Sequence, residues 1–218
     1  MLRREEFAPD RGRGRHLSTP GRFGSDDGSP DLAIRGAADA RTLVGAVRAG
    51  RVMVAVVATA DDVEVVHGRA VDKTSAMSVV SMVAKDGRRG LLSFTGIDAF
   101  EAWDPSARPV PVSGVDAALA AIADDCEGLI LDIAGPRMQV VPEADVLQIA
   151  GVDQLDHARA VANRLLVEAL DSDAVSVTRI GDRLQVATDL VDARDLAAMI
   201  PPRVLALVPS GVEIVDGG

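Results

Sequence analysis

The sequence predicts an α/β protein of the α+β kind, in which a mixed sheet with hairpins is flanked by helices. Three observations carry that expectation. Val52 to Thr59 is a β-branched run without strict alternation, set between Gly50 and Asp61-Asp62, as a strand covered on both faces would be. Ala76 to Ala84 and Gly90 to Thr95 read as two strands joined through Lys85-Asp86-Gly87-Arg88, where Asp-Gly is a strong hairpin signal. Between such runs, apolar residues recur at helical spacing, most clearly at Leu155, Ala158, Ala162, Leu165, Leu166 and Ala169.

In chain order, residues 1–34 read as a disordered tail, because Gly-Arg repeats with Ser, Asp and Pro offer no apolar period to offset ordering entropy. Residues 35–150 form the main domain. Its first helix, Asp39 to Ala49, aligns Leu43, Val44 and Val47 and stops at Gly50. After the hairpin, Ile97 to Trp103 makes a short helix that packs Phe100 and Trp103. Pro105, Pro109 and Pro111 then predict an extended connection, since proline stops a helix and pushes the residue before it out of the helical region. Val115 to Ala123 is a further amphipathic helix. Leu129 to Ile133 and Met138 to Val141 are strands either side of the turn residues Ala134-Gly135-Pro136, and Glu143 to Ala150 is the closing helix.

A new pattern begins near Gly151, so residues 151–218 read as a smaller helix-hairpin-helix-strand segment. Its long helix precedes Val175 to Ile180 and Leu184 to Thr188, which flank Gly181-Asp182, a two-residue hairpin turn with glycine at its first central position. Asp192 is a good N-cap for a helix over Ala193 to Ile200, ended by Pro201-Pro202. Val204 to Val208 and Gly211 to Val215 are expected as two short closing strands.

Composition narrows the function classes. The chain has 218 residues with 23 basic and 33 acidic side chains, a net charge of −10. That balance argues against a nucleic-acid or anionic-membrane surface over most of the molecule. A single cysteine, Cys126, excludes a disulfide framework, and a chain of this length buries enough surface to fold without one. The longest apolar stretch, Val52 to Ala60, is far short of the roughly 20 residues that span a bilayer. No apolar segment follows Arg3-Arg4, so no export signal is expected, and the protein reads as cytoplasmic with no membrane partner.

Several linked stretches carry a resemblance. They are Lys73-Thr74-Ser75-Ala76-Met77-Ser78-Val79-Val80, Asp86-Gly87-Arg88-Arg89-Gly90-Leu91-Leu92-Ser93-Phe94-Thr95, Phe100-Glu101-Ala102-Trp103-Asp104-Pro105, Arg108-Pro109-Val110-Pro111-Val112 and Gly128-Leu129-Ile130-Leu131-Asp132-Ile133-Ala134-Gly135-Pro136. In that order, over roughly residues 37–150, they resemble the N-terminal domain of SseB-family proteins in its actinobacterial form. The resemblance implies a mixed α/β domain and supplies no catalytic residues. It stops short of residues 151–218.

Chemistry-bearing motifs are sparse. The sequence has no Gly-Lys pair for a P-loop and no G-x-S-x-G nucleophile elbow, and its histidines, His16, His67 and His157, lie far apart outside any metal-ligand spacing. No catalytic residue, cofactor or metal is therefore expected. Cys126 sits between Asp124-Asp125 and Glu127, where negative charge suppresses the thiolate. A surface candidate comes from the hairpin, whose geometry puts Lys73 and Ser75 at the same end as Phe94 and Thr95, with Trp103 nearby as an anchor. The leading expectation is a non-enzymatic protein-binding or adaptor module with a protein partner, its oligomeric state open. Two alternatives stand beside it: an accessory role in serine or sulfur metabolism through Cys126, and weak RNA or ribosome association through Arg3, Arg4, Arg11, Arg13 and Arg15.

Overall fold

The computed structural model describes residues 7–11, 23–59, 76–135 and 137–216, and the chain divides into two compact units, residues 1–150 and 151–218. In the first unit, helix α1 (Leu32–Arg35) is capped by Asp31, whose carboxylate accepts from Ala33 and Ile34 N–H. Helix α2 (Ala40–Ala49) starts in a capping box: the Asp39 carboxylate accepts from the Thr42 N–H at 2.8 Å and the Asp39 N–H donates to the Thr42 hydroxyl. The helix buries the expected Leu43, Val44 and Val47 and ends at Gly50.

The strands are β1 (Phe7–Arg11), β2 (Arg51–Thr59), β3 (Ala76–Ala84), β4 (Arg89–Phe94), β5 (Arg108–Ser113), β6 (Gly128–Leu131) and β7 (Gln139–Pro142). The β3–β4 hairpin turns at Gly87, where φ is +87° and glycine is favoured. The helices α3 (Ile97–Trp103), α4 (Gly114–Ala123) and α5 (Glu143–Ala150) follow the predicted spans to within a residue. All strands join one mixed sheet, with β4 and β6 parallel and the other pairings antiparallel. Its two faces pack differently. Helices α2, α4 and α5 cover one face, with Val44, Val47, Ala117, Ala121, Val146 and Ile149 in its core. On the other face, among the described residues, α3 packs Phe100 and Trp103 against Met53, Leu92, Phe94 and Ile130.

At the sheet's centre, three strands meet in a junction. Strand β2 pairs with β4 at Val54 and then with β3 from Val56, β3 leaves β2 after Val79 and joins β4 at Ser81, and β4 leaves β3 after Leu91 and joins β2 at Ser93. All three pairings are antiparallel, which three straight strands in a plane cannot satisfy, so the strands bend at Ala55, Val80 and Leu92. Another strand lines each arm from outside: β5 runs along β2 past Ala55, β6 along β4 past Leu92, and β1 along β3 as far as Val80. Ser81 and Ser93 are buried at this junction, and neither hydroxyl has a hydrogen-bond partner among the described residues.

The structure corrects three expectations. The stretch Arg108–Ser113 is a strand rather than a bare connection, with Pro109 opposite Ala55 and Pro111 opposite Met53. Prolines two apart share one side of a strand, so their missing donors all face away from β2, and β5 can pair there as an edge. The disordered-tail reading over residues 1–34 fails for the residues from Phe23 onward, which are held by Asp26 on Arg51 and by the Asp31 cap, and β1 pairs along β3. The rest of the tail, residues 1–6 and 12–22, lies outside the described residues. In the second unit, Val204 to Val208 is not a strand: Pro202 opens helix α8 (Pro202–Leu207), because proline suits the first turn, whose amide needs no partner.

The second unit otherwise follows the expected order. Helix α6 (Gln154–Leu170) is capped by Asp153, and Arg179 bonds Asp153 at 2.9 Å. Strands β8 (Val175–Ile180) and β9 (Arg183–Thr188) form the hairpin with Gly181 at φ +61°, and helix α7 (Ala193–Met199) is capped by Asp192. Strand β10 (Val212–Asp216) lies parallel to β9. Val175, Val177, Leu184, Val186, Leu196 and Val204 form its buried interior.

Candidate functional site

Ligands of open α/β sheets tend to sit beyond the carboxyl ends of parallel strands. In this chain that place, past β4 and β6, is sealed from within. Thr95 is fully buried and is the hub of the seal. Its N–H and hydroxyl each donate to the Asp132 carboxylate at 2.7 Å, its hydroxyl accepts from Arg35 Nε at 3.0 Å, and its carbonyl accepts from the Asp31 N–H and from Arg51. Asp132 is itself fully buried and takes a left-handed φ of +52° to reach this position. Arg35 continues outward to Asp98, which it grips with both terminal nitrogens at 2.7 and 2.8 Å. That hydrogen bonding holds the Asp98 carboxyl below its ordinary value. Arg51 grips Asp26 with two nitrogens and also donates to the Ser29 carbonyl, which ties residues 26–29 over the sheet end. A Cβ on Gly96 would come 2.8 Å from Pro30, so this segment also packs closely against the start of α3.

This geometry revises the surface candidate. Phe94 and Thr95 are buried, Phe94 against Phe100 with ring centroids 4.9 Å apart and Trp103 at 5.4 Å. The half-buried Trp103 belongs to the same cluster, edge-on to Phe100 with ring centroids 5.8 Å apart. Lys73 and Ser75 lie outside the described residues, as do His16, His67, Arg3, Arg4, Arg13 and Arg15, and for Arg11 only the backbone of β1 is described. Cys126 is buried, with its sulfur 3.9 Å from the Asp124 carbonyl, so it presents no accessible thiol. Among the described residues no cluster of His, Cys, Asp or Glu could hold a metal, and no helix is long and apolar enough to cross a membrane.

The amino ends of the same two strands are built in the opposite way. There a groove of about 460 Å³ opens, a volume in the range of ligand pockets. Its floor crosses four strands: Ala84 on β3, Gly90 on β4, Gly128 and Ile130 on β6, and Val140 on β7. Two glycines here let their neighbours close in. A Cβ on Gly90 would come 2.7 Å from the Ile130 side chain, and one on Gly128 would come 2.5 Å from the Val141 carbonyl oxygen. Val140 is half-exposed on the sheet's edge strand. Lys85, Asp86, Arg88, Arg89 and Glu127 rim the opening. Sequence reasoning passed over this groove, although a glycine inside a strand pattern is a signal of close approach. Arg35, Arg51, Asp26 and Asp132 were missed because their partners lie 25 to 63 residues away in sequence.

No curated protein and no solved structure matches the chain. The model of the SseB protein N-terminal domain matches residues 32–147. That span holds β2 to β7, the helices packed on them and the polar seal from Arg35 to Asp132, so by its larger part the chain belongs to the SseB family.

Proposed function

We propose that this protein is a cytoplasmic, non-enzymatic binding module whose protein partner docks in the groove at the amino ends of β4 and β6. The observation that carries the reading is the groove over Gly90, Gly128, Ile130 and the half-exposed Val140, on a sheet whose opposite end is saturated with internal bonds. Buried polar groups that satisfy one another hold a structure in one arrangement, whereas the exposed apolar surface of Val140 gains free energy when a second surface removes it from water. The edge position of Val140 suits a partner that lies against the sheet.

The test is capture from native lysate by the full chain, compared with Val140→Glu, after nuclease treatment and at two salt concentrations. The expected result is a stoichiometric protein retained by the native chain and lost by the variant, with the variant's fold unchanged by circular dichroism. Equal capture by both chains overturns the placement of the site.

A further inference from the structure

We infer that Asp86, in the β3–β4 turn, is a site of spontaneous conversion to isoaspartate, and that Arg88 is the positioning residue that slows it. The chemistry needs an aspartate, a following glycine whose amide no side chain shields, and water. The Gly87 nitrogen attacks Cγ of the neutral Asp86 carboxyl and loses its proton, the carboxyl loses its hydroxyl as water, and a succinimide ring closes. Water then adds at the Asp86 carbonyl carbon and breaks its bond to the Gly87 nitrogen. The main chain now runs through Cγ, the old carbonyl carbon is a free carboxylate, and the mass returns to its starting value. No oxidant, cofactor or enzyme enters.

The sequence offers this dipeptide at Asp27-Gly28, Asp86-Gly87 and Asp216-Gly217. Gly217 lies outside the described residues, and the structure separates the other two. Gly28 is buried: its N–H donates to Asp26 Oδ1 at 2.8 Å, its carbonyl accepts from the Ile97 N–H, and a Cβ there would come 3.1 Å from Ile97. Turning that amide toward Asp27 would drag a packed glycine with it. Gly87 is the reverse, since residues 85–88 are all exposed and a Cβ on Gly87 would meet nothing within 4 Å. Two backbone bonds close the turn, from the Gly87 N–H to the Ala84 carbonyl at 2.9 Å and from the Ala84 N–H to the Arg88 carbonyl at 2.8 Å. Arg88 adds a grip on the carboxylate itself, with Nε donating to Oδ2 at 2.8 Å and its N–H to Oδ1 at 3.2 Å. A carboxyl that turns to present Cγ to Gly87 gives up that grip. The guanidinium bond, and after it the amide bond, also hold the Asp86 carboxyl below its ordinary value, which keeps the neutral, reactive form scarce. An exposed pair of this kind is weak, so it slows the reaction without stopping it. The product lengthens the main chain between Ala84 and Arg88 by one carbon and so disturbs the rim of the groove.

The experiment is prolonged incubation of the full chain at neutral pH, followed by peptide mapping with electron-transfer fragmentation, which tells isoaspartate from aspartate at equal mass, and by labelling with an isoaspartyl methyltransferase. The expected result is isoaspartate that builds up at Asp86 and stays at baseline at Asp27. Arg88→Ala should raise the rate at Asp86 roughly fivefold, the factor that a hydrogen bond of ordinary net strength carries, and leave Asp27 unchanged. Arg88→Lys, which keeps the charge, should restore part of the protection. Asp86→Glu should abolish the signal at this turn, because its ring would be larger and closes far more slowly. The gap between the native chain and Arg88→Ala should narrow as pH falls through about 4, where both carboxyls become neutral and the guanidinium has no charge to hold. Isoaspartate that forms faster at Asp27 than at Asp86, or at neither, overturns the site. Equal rates in the native chain and Arg88→Ala, or a gap that does not change with pH, overturn the part played by Arg88.

Discussion

At the carboxyl ends of β4 and β6, the N–H, hydroxyl and carbonyl of Thr95 are all bonded within the protein, whereas at their amino ends a groove opens between Ala84, Gly90, Gly128 and the half-exposed Val140. The first end is crowded with the residue types that usually mark a site: two arginines, three aspartates and a threonine. Their bonds point at one another. The second end carries its charged residues, Lys85, Asp86, Arg88, Arg89 and Glu127, on the rim of an open groove. The difference teaches that the density of polar residues is a poor guide to function until their partners are counted.

The largest effect should come from Asp132→Ala, which strands the Thr95 N–H and hydroxyl and removes the buried carboxylate nearest Arg35. We expect a loss of about 3 kcal/mol or more, read as a lower urea midpoint by fluorescence of Trp103, the chain's single tryptophan, which reports on the first unit. A loss under about 1 kcal/mol would mean that the sealed end does not hold the fold, since that is what a typical exposed contact contributes. Next, Arg51→Met should cost about 2 kcal/mol by leaving Asp26 and the Thr95 carbonyl short of a donor. Limited proteolysis should then cut between Phe23 and Asp31, and an unchanged digestion pattern would show that other contacts retain this segment.

A smaller effect is expected from pH. Hydrogen bonds from Arg35 depress the folded-state value of Asp98, so its contribution is complete above the ordinary carboxylate value, about pH 4, and is lost as pH falls through the depressed value. The first unit should therefore weaken more steeply below about pH 4 in the native chain than in Asp98→Asn. Parallel curves would mean that this half-exposed pair contributes nothing, a common outcome for surface ion pairs. The smallest effect belongs to the open end: Val140→Glu should shift stability by no more than about 0.5 kcal/mol. A large loss there would move Val140 from a docking floor to a structural contact.

The elements legible in the sequence were those specified locally. Helix α2 carries its own cap at Asp39 and its stop at Gly50, the β3–β4 hairpin carries Asp86-Gly87, and α6 shows its apolar face over four turns. The missed elements depend on distant partners. Nothing near Pro109 and Pro111 announces a strand, because pairing requires β2 to offer its outer side. Val204 to Val208 is a short apolar run that periodicity cannot assign, and Pro202 decides for helix. Of the site, the hairpin geometry did bring Thr95 to the end opposite the turn, yet its burial rests on Asp132 and Arg35, far away in the chain.

The three-strand junction bears on how the first unit opens. Releasing β2, β3 or β4 breaks two pairings inside the triangle and strips the outer strand from its partner, so fraying of one arm costs the pairings of all three. Backbone amides at the hand-over residues Ala55, Val80 and Leu92 should exchange with deuterium together, at the rate of global unfolding. A unit built around such a knot of pairings opens as one cooperative block.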